Sequence, residues 1–195
     1  MVNSFFALIS RMKNITRWSL MRNSAAENVQ EHSHTVAVIA HALAVISRDI
    51  FGNAADPGAA AAAALFHDAS EIFTGDLPTP IKYFDPDIMS AYKRVESVAS
   101  RKLLATLPAE MRSAYLPLLA PDSDDITMKL VKAADKLAAY IKCLEELKAG
   151  NLEFRLAAQQ SKEKLDSLGM PEVNYFLTCF VPAFELTLDE MDFSF

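Results

Sequence analysis

The chain carries only four histidines in 195 residues, so the imidazoles can be weighed one by one. His32 follows Val29 by three positions and precedes Val36 by four, which on a helix puts all three on one apolar face and points His32 into the core. His34 lies about 200° around the same helix, and shares its own face with His41, away from His32. His67 and Asp68 directly follow the alanine-rich stretch Ala59–Phe66, whose small side chains allow close packing. An imidazole and a carboxylate at the end of such a stretch are costly unless paired or bound to a metal ion. Glu71 stands at i+4 from His67 and i+3 from Asp68, so on a continuous helix the three share one side. Asp135, among Ala133, Ala134, Ala138 and Ala139, falls at the margin of the apolar stripe that contains Val131 and Ala138.

His32, His67, Asp68 and Asp135 thus come from three helical segments as two imidazoles and two carboxylates. That set suits a borderline divalent ion such as Mn²⁺, Co²⁺ or Zn²⁺, with positions left for water. Other metal patterns are missing. No His-Glu-x-x-His occurs, which argues against a zincin protease. Glu31-His-Ser-His34 supplies one Glu-x-x-His where a ferritin-like di-iron bundle needs two. Cys143 and Cys179 are isolated, with no CxxC, and read as buried reduced thiols of a cytoplasmic protein.

The elements that must position these groups are helices. Half of the residues (51%) are hydrophobic and 23% are charged, enough for a buried core in one domain spanning 1–195. With only 5 glycines and few hairpin dipeptides, sandwiches and Gly-rich dinucleotide folds are disfavoured. We read an all-α bundle: a first helix near Phe5–Met12; a long one after Asn28 as N-cap; one from Pro57 to about Phe73; one from about Pro86 to Leu104, with a shorter one after Pro108; one capped by Ser123 or Asp124 and running through Lys148 to Gly150; one over Leu152–Leu168; and a final pair from Pro171 interrupted at Pro182. Thr74-Gly-Asp-Leu-Pro-Thr-Pro80 is dense in helix breakers and must be a loop.

Lysine and arginine number 19 against 25 acidic residues, a net charge of −6 with no basic stripe, which argues against a nucleic-acid polymer as partner. The longest apolar run falls short of the ~20 residues of a membrane span, and the N-terminus lacks the basic start of a signal peptide. Phe5, Phe6, Phe176, Phe180 and Phe184 recur near helical spacing and read as core or dimer surface. The run Lys142–Glu146 reads as a solvated face around a buried Cys143.

Glu31-His32-Ser33, a later His67-Asp68 and a lone Asp135 resemble the metal-dependent phosphohydrolases of the HD-domain superfamily. Arg17-Trp18, Met21-Arg22-Asn23, Glu27-Asn-Val-Gln-Glu-His-Ser33, His67-Asp-Ala-Ser-Glu71, Thr74-Gly-Asp-Leu-Pro-Thr-Pro-Ile-Lys-Tyr-Phe84 and Lys142-Cys-Leu-Glu-Glu-Leu147 narrow the resemblance to the bacterial 5'-deoxynucleotidase family, across nearly the whole chain. The resemblance implies an HD-type bundle, a cytoplasmic homodimer, and removal of phosphate from deoxyribonucleoside 5'-monophosphates with one divalent ion per subunit, Co²⁺, Mn²⁺ or similar. It places the metal on His32, His67, Asp68 and Asp135, and the substrate on Arg17, Trp18, His32, Asp68, Asp76, Leu77, Pro78, Thr79 and Asp135.

In that setting Arg17 would hold two phosphate oxygens through its guanidinium fork. Glu71 could take or orient a proton of the attacking water, and Asp76 could reach the leaving O5' as acid; which serves which role stays open. Two rivals remain. A non-catalytic nucleotide-binding HD protein could dispense with Glu71 and Asp76, so their presence favours an enzyme. A phosphodiesterase or pyrophosphohydrolase on another nucleotide commonly uses a second metal with extra histidines, and only His34 and His41 are to spare.

Overall fold

The computed structural model describes residues 2–78, 85–122 and 125–191. Among these residues the only extended pairing is an antiparallel bridge between Thr16 and Asn28; the rest of the regular structure is helical. The first helix, α1 (Phe5–Ile9), is short and continues as a 3-10 turn over Ser10–Asn14. Helix α2 (Val29–Val45) starts with a full capping box: the Asn28 side chain accepts from the Gln30 and Glu31 amides, and the Glu31 side chain accepts from the Asn28 amide. Helix α3 (Pro57–Phe66) starts with Asp56 accepting from the Ala59 amide and with proline at its first position.

Helix α3 stops seven residues short of the expected end at Phe73. Residues 67–70 form a turn, closed by bonds from the His67 amide to Ala64 O, Ala69 to Phe66 and Glu71 to Asp68. The His67 imidazole explains the break. Its Nδ1 lies 2.7 Å from Ala64 O and takes the carbonyl that a continuing helix would offer to the Asp68 amide. A single turn, α4 (Glu71–Thr74), follows and ends at Gly75, whose φ of 71° supplies the left-handed exit. Residues 75–78 have no regular structure, as their breakers require. Thr79 to Phe84 lie outside the described residues.

Then come α5 (Pro86–Ala105), α6 (Arg112–Leu119), α7 (Ile126–Lys148), α8 (Arg155–Ser167) and α9 (Pro171–Cys179), with 3-10 turns at Val181–Glu185 and Leu188–Glu190. The cap of α7 is Asp125, accepting from the Thr127 amide. The two residues expected in that part, Ser123 and Asp124, lie outside the described residues. Helices α2, α3 and α7 pack on one another around Val36, Ala40, Leu43, Ala60, Ala64, Val131, Ala134 and Leu137, all buried. Phe5 closes a second cluster with Leu103, Leu107 and Leu119. Phe176 is also buried, whereas Phe6 and Phe180 lie on the surface. Among the described residues no helix is long and apolar enough to cross a membrane.

Two expectations need correction. Cys179 is exposed; only Cys143 is buried, where desolvation pushes its thiol up to about 12. Lys142 and Glu146 are not a solvated face: they are 6% and 1% exposed and form an ion pair across one helical turn. Glu146 also accepts from the amides of Ser24 (2.8 Å) and Ala25 (3.2 Å), from the Ser24 hydroxyl and from Asn151 Nδ2 (2.8 Å), while Lys142 Nζ donates to Ala25 O at 2.6 Å. A charged pair at this spacing is ordinarily solvated; the loop that buries it comes from the other end of the chain. Burial works against the Glu146 charge, but Lys142 and Ser24 outweigh it and hold the carboxyl well below the usual range.

Glu146→Ala should therefore destabilise the protein by about 3–5 kcal/mol, the cost of leaving a buried cation unpaired, read as a lower urea midpoint. Because the native pKa is lowered, this contribution is complete above the unfolded carboxylate value of about 4.3 and is lost as pH falls below it. A variant that keeps the wild-type acid limb would contradict this assignment.

Candidate metal centre and active site

Three segments bring four ligand-type side chains to one place. His32 comes from the buried face of α2, His67 and Asp68 from the turn that ends α3, and Asp135 from the middle of α7. His32 Nε2 lies 3.0 Å from Asp135 Oδ1 and 3.7 Å from Asp68 Oδ2, and His67 Nε2 lies 3.0 Å from Asp68 Oδ2. One ligand atom each from His32, His67 and Asp135 falls within 4.8 Å of the others, the spacing that a single ion would bridge.

The donor set fits a divalent ion on two further grounds. His67 donates through Nδ1 to Ala64 O, so its buried Nε2 is the ring nitrogen turned into the cluster, with Asp68 Oδ2 3.0 Å away but out of line for a well-formed hydrogen bond. The cluster is also strongly polarised. Burial opposes ionisation of Asp135, yet its hydrogen bond to His32 and the charges of His32, His67 and Arg17 hold it well below the usual carboxylate range. Asp68 is lowered too, against burial, chiefly by His67. Burial would lower His67, but Asp68 and Asp135 raise it to about 9. The carboxylates therefore demand a cation beside them, and a metal ion can take the place of the proton on His67.

Glu71 is only 6% exposed, and its Oε2 has no hydrogen-bond partner. Burial first, then the charges of Asp68 and Asp76, push it up to about 9. The turn at 67–70 replaces the expected continuous helix, yet Glu71 still stands beside the cluster, close enough to feel Asp68, Asp76, Arg17 and His67. Asp76, Leu77 and Pro78 are half-buried on the segment after Gly75. The Asp76 charge acts on both Arg17 and Glu71. Thr79, the last expected substrate contact, lies outside the described residues. His34 and His41 are exposed and take no part in the cluster.

Arg17 and Trp18 precede α2 on the strand-like segment bridged at Thr16 and Asn28. Arg17 Nη1 reaches within 3.5 Å of Asp68 Oδ2, and its Nε donates to Glu27 Oε2 at 3.2 Å. The Trp18 indole rests on Phe154, ring centroids 5.4 Å apart, and its Nε1 donates to the same Glu27 oxygen at 3.1 Å. Sequence reasoning assigned no part to Glu27. The available signal was a carboxylate directly before the Asn28 cap, one step outside α2, in a segment already singled out for its resemblance.

A solved HD-domain phosphohydrolase of Listeria innocua shares this architecture, with a TM-score of 0.79 at 26% identity over 93% of this chain and 88% of that one. An HD phosphohydrolase of cyanophage S-2L, solved bound to dA and one catalytic Zn²⁺, shares the fold at 20% identity and a TM-score of 0.59, over 92% of this chain and 95% of that one. Fold and ligand cluster together are those of an HD-domain phosphohydrolase. Within that class, the family model of the YfbR-like 5'-deoxynucleotidases matches residues 4–184. The 5'-deoxynucleotidase of Shewanella oneidensis is 50% identical over 192 residues, 98% of both chains. The chain belongs to the YfbR-like 5'-deoxynucleotidase family.

Proposed function

We propose that this 5'-deoxynucleotidase acts through one HD domain. It holds a single divalent ion on His32, His67, Asp68 and Asp135 and hydrolyses deoxyribonucleoside 5'-monophosphates to deoxyribonucleoside and phosphate. The observation that carries the reading is the convergence of His67 Nε2, buried and turned into the cluster, with His32, Asp68 and Asp135, and with the Arg17 guanidinium on its rim. A bound divalent ion supplies Lewis acidity, drawing charge from a phosphate oxygen and lowering the pKa of water toward ~7. The dA and Zn²⁺ of the cyanophage protein accord with a cation and a deoxynucleoside in such a fold.

The side chains do the rest. Glu27 occupies Arg17 Nε, so the guanidinium meets two phosphate oxygens with its Nη edge, where Nη1 exchanges its long 3.5 Å contact with Asp68 for phosphate. Glu71 and Asp76 share the proton work: one accepts from or orients the attacking water, the other protonates the leaving O5'. Trp18, adjacent to Arg17 and braced by Phe154 at a 59° tilt, packs on the deoxyribose at C2' and offers a 2'-hydroxyl no partner. Leu77, Pro78 and Thr79 complete the substrate side. The enzyme works as a cytoplasmic homodimer with Co²⁺, Mn²⁺ or a similar ion. Its net charge of −6 suits a small nucleotide in a pocket better than a polymer.

Phosphate release from 2'-deoxy and ribo 5'-monophosphates and from cyclic dinucleotides, with a panel of metals, tests this directly. An unpaired buried hydroxyl costs about 1–3 kcal/mol, so the wild type should prefer the deoxy substrate by roughly 5- to 150-fold, more if the hydroxyl also clashes. Trp18→Ala should narrow that ratio. Equal use of both sugars by the wild type would overturn the reading, and an unchanged ratio in Trp18→Ala would move the discrimination to the Asp76–Thr79 segment.

A further inference from the structure

We infer that Glu27 is a positioning residue: one carboxylate holds the sugar-facing Trp18 and the phosphate-facing Arg17 and sets its negative charge beside the proposed metal ligand His32. The inference deepens the reading above and rests on it for the meaning of the two partners, but its geometry stands alone.

Glu27 Oε2 accepts from two donors at once, Arg17 Nε at 3.2 Å and Trp18 Nε1 at 3.1 Å. Its other oxygen lies 4.0 Å from His32 Nδ1, a fully buried atom with no hydrogen-bond partner. The carboxylate is 16% exposed, well inside the range where such contacts are only weakly screened. A negative charge on that side favours the His32 tautomer with the proton on Nδ1, which leaves Nε2 as the metal-facing lone pair. The same charge fixes which edge of Arg17 is left for phosphate.

Trp18 makes the case for positioning rather than simple pairing. Among the described residues it is the one non-glycine with positive φ, 55°, a conformation that a bulky residue keeps only where its surroundings over-determine it. Those surroundings are Phe154 below the ring, Asn23 Nδ2 on the Trp18 carbonyl at 3.3 Å, and Glu27 on the indole nitrogen. The backbone of the segment does not depend on the Glu27 side chain. It is anchored by the Arg17 amide on Glu27 O (2.9 Å), the Val29 amide on Ile15 O (3.0 Å) and the Glu146 clamp at Ser24 and Ala25. Removing the carboxylate should therefore free the Trp18 indole and Arg17 Nε and take the charge from beside His32 Nδ1, while the loop and the buried His32 ring, 3.0 Å from Asp135, stay in place.

Trp18 is the only tryptophan, so intrinsic emission reports on it alone. Glu27→Ala should shift that emission to the red, raise its quenching by acrylamide, raise KM for deoxynucleotides by about 10- to 100-fold and narrow the deoxy-to-ribo ratio. Glu27→Gln keeps an acceptor for the indole, so its emission should stay near that of the wild type. Its neutral amide no longer favours the Nδ1-protonated His32, and affinity for Mn²⁺ in calorimetric titration should fall by about 10- to 100-fold. Wild-type emission in Glu27→Ala, or wild-type Mn²⁺ affinity in Glu27→Gln, overturns the inference. So does activity that falls only in step with thermal stability. If the wild type releases no phosphate from deoxynucleotides, the functional reading fails, while the emission and Mn²⁺ measurements still decide the role of Glu27.

Discussion

Asp135→Ala is expected to lose its bound metal and, with it, turnover by on the order of 10³-fold or more. Lewis-acid stabilisation is worth several kcal/mol in a reaction as slow as phosphomonoester hydrolysis. The effect is large because Asp135 is the proposed ligand that α7 contributes. Its Oδ1 lies 3.0 Å from His32 Nε2, and its charge is one of the two that hold His67 cationic in the absence of a metal. Without it the site loses one of its four proposed ligand atoms and one of its two negative charges, which weakens its hold on a divalent ion. Metal content after gel filtration and phosphate release after chelation and reloading check this, with Asp68→Ala as companion. A second readout is thermal. Metal that binds only the folded state stabilises the wild type by about 2.7 kcal/mol at a hundredfold excess over Kd, so chelation should lower the wild-type Tm and leave that of the variant unmoved. Full activity of Asp135→Ala in chelator-treated buffer would place the ion elsewhere.

Glu71→Ala should lose turnover by roughly 10²–10⁴-fold while still binding metal and nucleotide, the pattern of a lost acid or base. Its carboxyl is buried, lacks a partner on Oε2 and is pushed up to about 9, so it carries a mobile proton beside the cluster. Because truncating a buried side chain also leaves a cavity, Glu71→Gln is the sharper variant: it keeps the volume and removes only the ionisable proton. Asp76→Ala should share the pattern. Loss of metal by Glu71→Gln would turn the supposed catalyst into a ligand, and a KM effect without a kcat effect would make it a binding group.

The frame and the convergence of the His and Asp side chains were legible because they follow from local chemistry. Asn28 before an apolar-periodic run marks a capped helix in any context, and an inward His32 follows from its spacing to Val29 and Val36. What stayed hidden depends on contacts distant in sequence or on side chains that compete with the backbone. Helix α3 was expected to run on to Phe73; it stops because His67 takes the Ala64 carbonyl, a choice that propensity cannot register. Lys142 and Glu146 looked solvated because i,i+4 pairs ordinarily are, and only the folded position of Ser24 and Ala25 shows otherwise. Glu27 was hidden for the same reason: its partners are a ring, a guanidinium and an imidazole that converge only in three dimensions.

The alanines of α3 carry a consequence for how this sequence can vary. Ala60 and Ala64 are fully buried where α3 meets α2 and α7, and those three segments carry or lead into all four proposed ligands. Coordination bonds tolerate errors of only about ±0.2 Å. A side chain even one or two methylenes larger at either alanine would act as a shim, forcing α3 outward and spreading His67 and Asp68 from His32 and Asp135. Hydrophobicity would accept valine or leucine at these positions; the dimensional tolerance of the ion would not. The methyl groups of α3 therefore work as a gauge, and drift in their size should show up as altered metal preference before it shows up as unfolding.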